Sequence, residues 1–402
     1  MLTHRSKPCV IGVLGIGQVL IWGSTYYLPA VLAKPTADAT GWPLSWVIGG
    51  LSLGLLLSGL VSPKVGDLIE RLGGRPVLMG GALLAAVGQF GLAFAPNLPV
   101  YIGAWLVLGV AMGAGLYDPA FAALGRLYGQ EARTAITSLT LIAGFASTAC
   151  WPLSALMVAW FGWRGACLGY AVLNLLLVLP LYAIGLPREE AREAAPPRAR
   201  PATTAGGSLP ASRLYALLFC LVALSLTLAS VIAAVMSVHL LTVLELRGVP
   251  LATAVALGAI VGPCQVGARI IDLAVGQRFH PVWEMLVASL LVVVGLGLLF
   301  ADTSAVVVGL VVYGGGIGLR SIVRGTLPLA LFGPVGYASL MGRLGLPMLL
   351  AQAAAPSAGA VLLDHFGGIG VLAALFWTAV FTLVAGALLV PFARRPAIVP
   401  GV

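Results

Sequence analysis

Long apolar runs separated by short polar segments dominate the chain. Each run has about 20 residues or more, the length that an α-helix needs to cross the hydrocarbon core of a bilayer. None shows the alternation over about ten residues that is typical of strands in a membrane barrel. The pattern therefore predicts twelve membrane-spanning helices, at 8–33, 44–63, 76–95, 98–124, 134–160, 165–187, 212–243, 250–274, 281–301, 304–327, 337–362 and 368–392.

The composition is that of a protein folding in lipid rather than in water. Of the 402 residues, 60% are hydrophobic and only 9% are charged, and the mean hydropathy is +1.05. Soluble domains have roughly 45–50% apolar and about 25% charged residues, so folding in water would leave large apolar patches exposed. We predict an all-α integral membrane protein whose 52 glycines let its helices pack closely.

Lysine and arginine are distributed unevenly between the two sides of the predicted membrane. Only Lys34, Arg164 and Arg247 fall in segments on one side, whereas most of the 22 basic residues fall on the other. Cytoplasmic loops carry such an excess, so we expect both termini to be cytoplasmic and the membrane to be a bacterial inner membrane. The net charge of +9 follows from this bias and needs no nucleic-acid partner.

A polar segment divides the predicted helices into two groups of six. Residues 188–212 are rich in charge, proline, glycine and serine, which is typical of a flexible linker. We therefore expect an amino-terminal six-helix bundle over 1–187, a cytoplasmic linker over 188–212 and a carboxy-terminal six-helix bundle over 213–402.

The two halves resemble each other at an offset of about 204 residues. Gly129 and Pro152 in the first half align with Gly333 and Pro356 in the second, without a gap between them. Two six-helix halves of the same orientation predict parallel repeats, related by an axis along the membrane normal.

The segment VGDLIERLGGRP, residues 65–76, concentrates charge between the second and third predicted helices. A tight loop there needs glycine to bend. The pattern G-x-L-x-D-R-x-G-x-R is present at Gly66, Leu68, Glu70, Arg71, Gly73 and Arg75, with Glu70 in place of the usual aspartate. The chain thereby resembles the major facilitator superfamily. The resemblance implies two parallel six-helix repeats that rock between inward-open and outward-open states.

The charges of this inner loop predict a cytoplasmic gate. Its acids could pair with arginines and with the amino end of a neighbouring helix, and pairs made in only one conformation bias a two-state equilibrium. Arg343 is a candidate partner for Asp67 or Glu70; the alternative is a solvated loop that only obeys the charge bias. The predicted gate residues are Gly66, Asp67, Glu70, Arg71, Gly73, Arg75 and Arg343.

Arginines within the carboxy-terminal spans are candidates for substrate binding. An ionisable side chain in hydrocarbon costs at least ~2.5–3.5 kcal/mol, and its presence indicates function. Arg320 shares a helical stripe with Tyr313, Gly316 and Arg324, and a guanidinium group matches a carboxylate. We predict that Arg320 and Tyr313 bind substrate. The alternative, which we favour for Arg324, is that the arginines reach the inner headgroups.

Arg269 lies near the inner end of the eighth predicted helix. Its placement is similar to that of a substrate-facing arginine in the monocarboxylate-porter and oxalate/formate branch of the superfamily, and the resemblance implies a substrate-binding role. Asp272, one turn later, could instead neutralise it.

Polar residues in the amino-terminal spans complete the candidate site. Asp118 is the only carboxylate well inside one of these spans; it could carry a proton or pair statically with an arginine. In the first span, Gln18, Trp22 and either Thr25 or Tyr26 share one helical face. An amide, an indole and a phenol there suit a small-molecule site, although an interfacial aromatic belt is the alternative.

Together these residues predict a secondary active transporter for a small organic anion such as a monocarboxylate. Proton symport would use Asp118 or the carboxylate of the substrate, and the expected partners are substrate, protons and the lipid bilayer, with the protein a monomer. No metal cluster, nucleophile–base pair or phosphate loop is present in the sequence, so we expect neither enzyme activity nor a cofactor.

Two other functions remain open. The first is a proton-coupled exporter of drugs or other organic compounds. Drug exporters of the superfamily usually carry an arginine early in the fourth helix and a glycine before the proline of the fifth. This chain has no arginine in its fourth span and has Trp151 before Pro152. The second is a membrane sensor that transports nothing.

Overall fold

The structure, a computed structural model, describes residues 6–189, 211–301 and 305–393. Regular secondary structure within these ranges is entirely helical, and nine helical stretches there are long and apolar enough to cross a membrane. The two longest, Leu98–Gly185 and Tyr337–Phe392, have 88 and 56 residues, well above the roughly 20 that one crossing needs. The predicted all-α membrane fold is confirmed, while the count of twelve spans stays a prediction.

Fourteen α-helices follow one another along the described chain. The helices before the predicted linker are α1 (Lys7–Ser24), α2 (Pro29–Thr40), α3 (Leu44–Leu72), α4 (Gly74–Ala93), α5 (Leu98–Gly115), α6 (Tyr117–Tyr128), α7 (Ala132–Ala143), α8 (Ala146–Leu173) and α9 (Leu179–Gly185). Those after it are α10 (Ala211–Leu246), α11 (Leu251–Val275), α12 (Pro281–Ala301), α13 (Val306–Phe332) and α14 (Tyr337–Ala387).

The first predicted span, 8–33, is broken rather than continuous. Helix α1 ends at Ser24, and α2 begins at Pro29 after four residues in turns. Pro29 has no N–H group to bond the Thr25 carbonyl, so the helical ladder cannot run through this point. The apolar run hides the break because its residues are as hydrophobic there as elsewhere.

Two further spans are divided in the same way. The predicted span 98–124 is split at Leu116, whose extended backbone (φ −82°, ψ −158°) separates α5 from α6. The predicted span 134–160 is split where α7 ends at Ala143 and α8 begins at Ala146.

Glycines with a positive φ recur at the offset of the internal repeat. This left-handed backbone region favours glycine because a Cβ atom would clash there. Pairs of such glycines about 204 to 207 residues apart are Gly41 and Gly248, Gly129 and Gly333, and Gly162 and Gly367. A positive φ at equivalent positions of the two halves supports the repeat that the sequence predicts.

Contacts divide the chain into two compact units. The first unit comprises Met1–Ala194 with Gly336–Ala353, and the second comprises Ala195–Val335 with Ala354–Val402. The first part of α14 therefore packs with the amino-terminal helices. Residues 190–210 of the predicted linker lie outside the described residues, and the division into bundles over 1–187 and 213–402 stays a prediction.

Close helix packing through glycine is visible inside the second unit. A methyl group added to Gly295 of α12 would lie only 2.8 Å from the Gly309 carbonyl oxygen of α13. Helices in lipid gain little from burying apolar surface, because the lipid tails are apolar too. Close backbone contact of this kind stabilises their association through van der Waals packing instead.

Candidate substrate and gate sites

Gln18 of α1 satisfies the backbone at the break between α5 and α6. Its buried side-chain Nε2 donates to the carbonyl oxygens of Gly115, at 2.5 Å, and Leu116, at 3.4 Å. The end of a helix leaves carbonyls without partners, and hydrocarbon offers no donors to replace them. The Gln18 amide therefore stabilises a helix break in this structure, and its role as a substrate ligand stays a prediction.

Trp22 is oriented by the other end of the same amide. Its indole Nε1 donates to Gln18 Oε1 at 3.1 Å. The Trp22 ring lies 5.2 Å from the Tyr26 ring and 5.0 Å from the Tyr117 ring of α6, measured between centroids. Five rings in the first unit are connected by pairwise ring contacts, and we call them the aromatic cluster. Its members are Trp22, Tyr26, Tyr27, Tyr117 and Trp151.

The structure brings the predicted residues of the first span together at this cluster. The face predicted from helical spacing is retained for Gln18, Trp22 and Tyr26, although Tyr26 lies in the break after α1. Thr25, the alternative to Tyr26, is buried and donates to the Ile21 carbonyl. The Tyr26 hydroxyl accepts a hydrogen bond from Gln352 Nε2 of α14 at 3.2 Å.

The break between α1 and α2 is stabilised by two more buried amides. Gln89 of α4 donates to the Ser24 carbonyl, and Asn174 donates to the Ser24 hydroxyl at 3.0 Å. Both amides are fully buried. Neither residue was predicted as functional; the available signal was an amide side chain inside an otherwise apolar helix, where an unbonded amide is costly.

Asp118 is buried in the first turn of α6, with 6% of its surface exposed. A negative charge is favourable there because the helix dipole is positive at its amino end. The backbone of α14 packs directly on it, since a methyl group added to Gly345 would lie 3.2 Å from Asp118 Oδ2 and would overlap Ser62 of α3. The predicted proton-coupling residue therefore lies at a contact between helices.

The junction of α3 and α4, at Gly73, is held by an ion pair that was not predicted from the sequence. Arg126 Nε of α6 lies 2.6 Å from Glu189 Oε2, and only 4% and 13% of these side chains are exposed. Glu189 Oε1 also accepts the backbone N–H of Gly74 at 2.9 Å, so the carboxylate sits at the amino end of α4. Arg126 in addition donates to the Glu70 carbonyl.

The predicted partner of the loop acids does not pair with them here. Arg343 is exposed, and within the described chain no ion pair joins it to Asp67 or Glu70. Arg126 of α6 contacts this end of α3 instead, because it donates to the Glu70 carbonyl.

Of the remaining motif residues, one lies in a turn, two make contacts with other helices and one is exposed at the surface. Gly73 provides the bend, with φ +88°, whereas Gly66 lies inside α3 and contacts the backbone of α14. Arg75 donates to the Ala183 carbonyl at the end of α9, and Arg71 is exposed.

In the second unit, Arg269 is buried, with 5% of its surface exposed. Its Nε donates to Ser321 Oγ at 3.0 Å, and its Nη2 lies 3.5 Å from Gln265 Oε1. The contact with Ser321 attaches α11 to α13, whereas the contact with Gln265 lies within α11. Asp272 is likewise buried, one turn further along α11.

Arg320 differs from Arg269 in how little of its guanidinium group is bonded. Nη2 makes only a long hydrogen bond of 3.4 Å to the Ser225 carbonyl of α10. Nη1 is buried and has no hydrogen-bond partner among the residues that the structure describes. The Tyr313 side chain is buried, and it lies on the same stripe of α13 as Arg320.

Metal-binding residues are not clustered in the described ranges. No group of three or more His, Cys, Asp or Glu side chains there could hold an ion. The groups described above that could bind a ligand are a guanidinium group, a buried carboxylate and a set of aromatic rings.

Helices of membrane-spanning length, with buried polar residues within them, are features of the membrane-transporter class. The chain belongs to the Major Facilitator Superfamily, whose family model matches residues 14–319. The superfamily predicted from the inner-loop motif is confirmed.

Curated relatives match parts of the chain. It is 33% identical over 138 residues to Monocarboxylate transporter 13 of Rattus norvegicus, covering 34% of this chain and 31% of the relative. It is 32% identical over 187 residues to Monocarboxylate transporter 11 of Homo sapiens, covering 45% and 37%. It is 33% identical over 144 residues to the Chloramphenicol resistance protein of Pseudomonas aeruginosa, covering 35% and 34%. The aligned part is thus about a third of each relative, and the first two agree with the predicted branch.

Solved structures share the fold over almost the whole chain. The human organic anion transporter MFSD10 aligns with a TM-score of 0.73 and 17% identity, over 95% of this chain and 100% of that one. The proton:xylose symporter XylE aligns with a TM-score of 0.70 and 13% identity, over 98% and 97%.

Proposed function

We propose that this chain is a secondary active transporter that moves a small organic anion, such as a monocarboxylate, across the cytoplasmic membrane. The observation that carries the proposal is the Arg320 guanidinium, whose buried Nη1 has no hydrogen-bond partner among the described residues. An arginine at membrane depth is costly unless something pairs with it, and a carboxylate matches its two parallel N–H donors. The partial similarity to two monocarboxylate transporters supports the same substrate class.

The substrate site of this proposal includes Arg320 and Tyr313, with Arg269 holding α13 against α11. Arg269 is bonded to Ser321 of α13, the residue after Arg320. It therefore orients the arginine stripe in addition to any contact with substrate.

Alternating access would depend on inner contacts that form and break. The Arg126–Glu189 pair and the packing of α14 on Gly66 are suited to closing the inner side, because each contact joins helices or segments distant in sequence. We include the charged loop in this gate, with Arg343 as a residue that would find an acidic partner in another state.

Proton symport is part of the proposal, with Asp118 as the carrier. A buried carboxylate at a contact between α6, α3 and α14 can couple its charge to helix packing. The alternative is a carboxylate that stays charged and static. Replacing Asp118 with Asn distinguishes them: a carrier role predicts retained substrate exchange without pH-driven accumulation, whereas loss of both processes indicates a structural role.

The main test uses purified protein in liposomes with an imposed pH gradient. Radiolabelled lactate, pyruvate, benzoate and oxalate are offered, and uptake is compared among wild type, Arg320→Ala, Arg320→Lys and the exposed control Arg213→Ala. We expect uptake to fall at least tenfold in Arg320→Ala, to recover in part in Arg320→Lys and to be unchanged in Arg213→Ala. Equal uptake by wild type and Arg320→Ala overturns the anion site.

A second candidate function is export of an organic compound in exchange for protons. It is favoured by the 33% identity to the Chloramphenicol resistance protein over 144 residues. Cells producing this chain would then tolerate more chloramphenicol and accumulate less of it than cells with an empty vector. Orientation with both termini inside, a bacterial inner membrane and a monomeric state complete the proposal.

A further inference from the structure

The aromatic cluster of the first unit is built as a ring-binding surface. Trp22 contacts three tyrosines with centroid distances between 5.0 and 5.7 Å. Trp151 of α8 extends the cluster, 6.2 Å from Tyr27, and leaves 46% of its surface exposed. Rings from α1, the break after it, α6 and α8 thus converge inside one unit.

The polar edges of two central rings are already engaged by the protein. The Trp22 indole N–H is bonded to Gln18, and the Tyr26 hydroxyl accepts from Gln352. Trp22 and Tyr26 are only partly buried. With these polar atoms engaged, the two rings would bind another ring through stacking or edge contact.

A rigid support lies behind the cluster. Phe121 is completely buried and stacks on Tyr117 at 5.2 Å with an angle of 10° between the rings. Gln18 is fixed at both ends, by the carbonyls at the α5–α6 break and by the indole. A preformed surface loses little side-chain freedom when a ligand binds, which favours affinity.

The charge of the cluster favours a neutral ring over a cation. Its five members are uncharged aromatic residues, and the neighbouring carboxylate Asp118 is buried against Ser62 and Gly345. A cage for an organic cation would gain from an exposed acid beside the rings. We infer that the aromatic cluster binds a planar aromatic ring of the transported solute, so that the substrates include aryl carboxylates. This inference rests on the proposed function for the anionic group alone.

The test compares ring-matched compounds with and without a carboxylate. Benzoate, cyclohexanecarboxylate, benzyl alcohol and cyclohexylmethanol are presented to the full-length protein in lipid nanodiscs, with empty nanodiscs as blank. Saturation-transfer NMR and competition against radiolabelled benzoate give relative affinities. We expect each aromatic compound to bind roughly two- to tenfold more tightly than its saturated partner, the range that aromatic contacts provide.

Variants show whether the preference belongs to this cluster. Trp22→Leu and Tyr117→Leu should abolish the aromatic preference, and Trp22→Phe should retain part of it and confirm that the fold survives. Trp46→Leu, at a tryptophan of α3 that is 57% exposed, should leave it unchanged. Equal binding of aromatic and saturated rings by wild type, or no binding of any compound, overturns the inference. Tighter binding of benzyltrimethylammonium than of benzyl alcohol overturns it in favour of a cation site.

Failure of the inference differs from failure of the proposed function. Carboxylate uptake without an aromatic preference leaves the anion transporter intact and removes the ring site. An aromatic preference shared by benzyl alcohol, with no carboxylate uptake, retains the ring site and removes the anion transporter.

Discussion

The backbones of Gly66 in α3 and Gly342 in α14 are in direct contact. A methyl group added to either glycine would lie 3.0 Å from the Cα atom of the other. Small residues permit such an approach between membrane helices. The first glycine of the inner-loop motif is therefore part of a helix contact with a segment almost 280 residues further along the chain.

Replacing Gly66 with Ala should weaken this contact. Its methyl group would collide with the Ala338 carbonyl oxygen, and overpacking of this kind costs about 1–3 kcal/mol. We expect a lower thermal midpoint in detergent, followed by tryptophan fluorescence, together with slower transport. Gly49→Ala in the same helix is the control, because nothing lies within 4 Å of a methyl group there. A Gly66→Ala protein as stable as Gly49→Ala contradicts the packing role.

The Arg126–Glu189 pair should show strong energetic coupling. Removing one partner of a buried pair leaves a charge uncompensated and costs about 3–5 kcal/mol. We therefore expect Arg126→Ala and Glu189→Ala each to destabilise the protein strongly, and the double variant to be less destabilised than the sum. The free energy of unfolding in mixed micelles measures the coupling.

A matched control for that experiment exists at the surface. Lys34 and Asp38 lie 2.7 Å apart on α2, with 79% and 64% of their side chains exposed. Such helical pairs contribute roughly 0.3–0.5 kcal/mol. If the coupling energy at Arg126–Glu189 is no larger than at Lys34–Asp38, the buried ion pair does not stabilise the junction of α3 and α4.

Gln18→Glu tests the amide that supports the α5–α6 break. The substitution keeps the size of the side chain and replaces the Nε2 donor with an acceptor facing the Gly115 and Leu116 carbonyls. Leaving buried groups unbonded costs about 1–3 kcal/mol, so we expect a clear loss of stability at neutral pH. Gln352→Glu is the comparison, because Gln352 donates to a single hydroxyl that can itself become the donor.

Gly162 and Gly367 should respond alike to alanine. Both have a positive φ, 68° and 65°, and neither has an atom within 4 Å of an added methyl group. The cost is then conformational alone, about 1–3 kcal/mol each, because a positive φ with ψ near 180° is a region essentially restricted to glycine. Gly80→Ala, inside α4 with equal space and ordinary helical backbone, should instead be neutral or slightly stabilising. Unequal effects at Gly162 and Gly367 in thermal unfolding would count against equivalent turns in the two halves.

The lengths of the apolar runs were sufficient to predict a helical membrane protein, and the spacing of the inner loop was sufficient to predict its superfamily. Both signals are local in sequence. The breaks at Thr25 and Leu116 could not be read in the same way, because hydropathy does not change where the backbone leaves the helix. Their long-range partners, Gln18, Gln89 and Asn174, are the residues that reveal them.

The positions of charged residues in the sequence were not sufficient to predict which of them form ion pairs near the predicted gate. Arg343 was predicted as a partner of Asp67 or Glu70, yet it is exposed and no ion pair joins it to them within the described residues. Arg126 and Glu189 were overlooked, because the pair joins positions 63 residues apart and Glu189 lies among the charges of a segment predicted to be linker. The stripe of Tyr313 and Arg320 was predictable, since both lie on one continuous helix.

Both ends of one side chain link two distant features of the first unit. Gln18 holds the carbonyls at the α5–α6 break with its nitrogen and the Trp22 indole with its oxygen. Rotation of the Gln18 amide therefore changes its hydrogen bond to the carbonyls and its hydrogen bond to the indole together. The emission of Trp22 should therefore report the angle between α5 and α6, and a variant retaining only this tryptophan would give an optical signal for the bending of that helix pair during turnover.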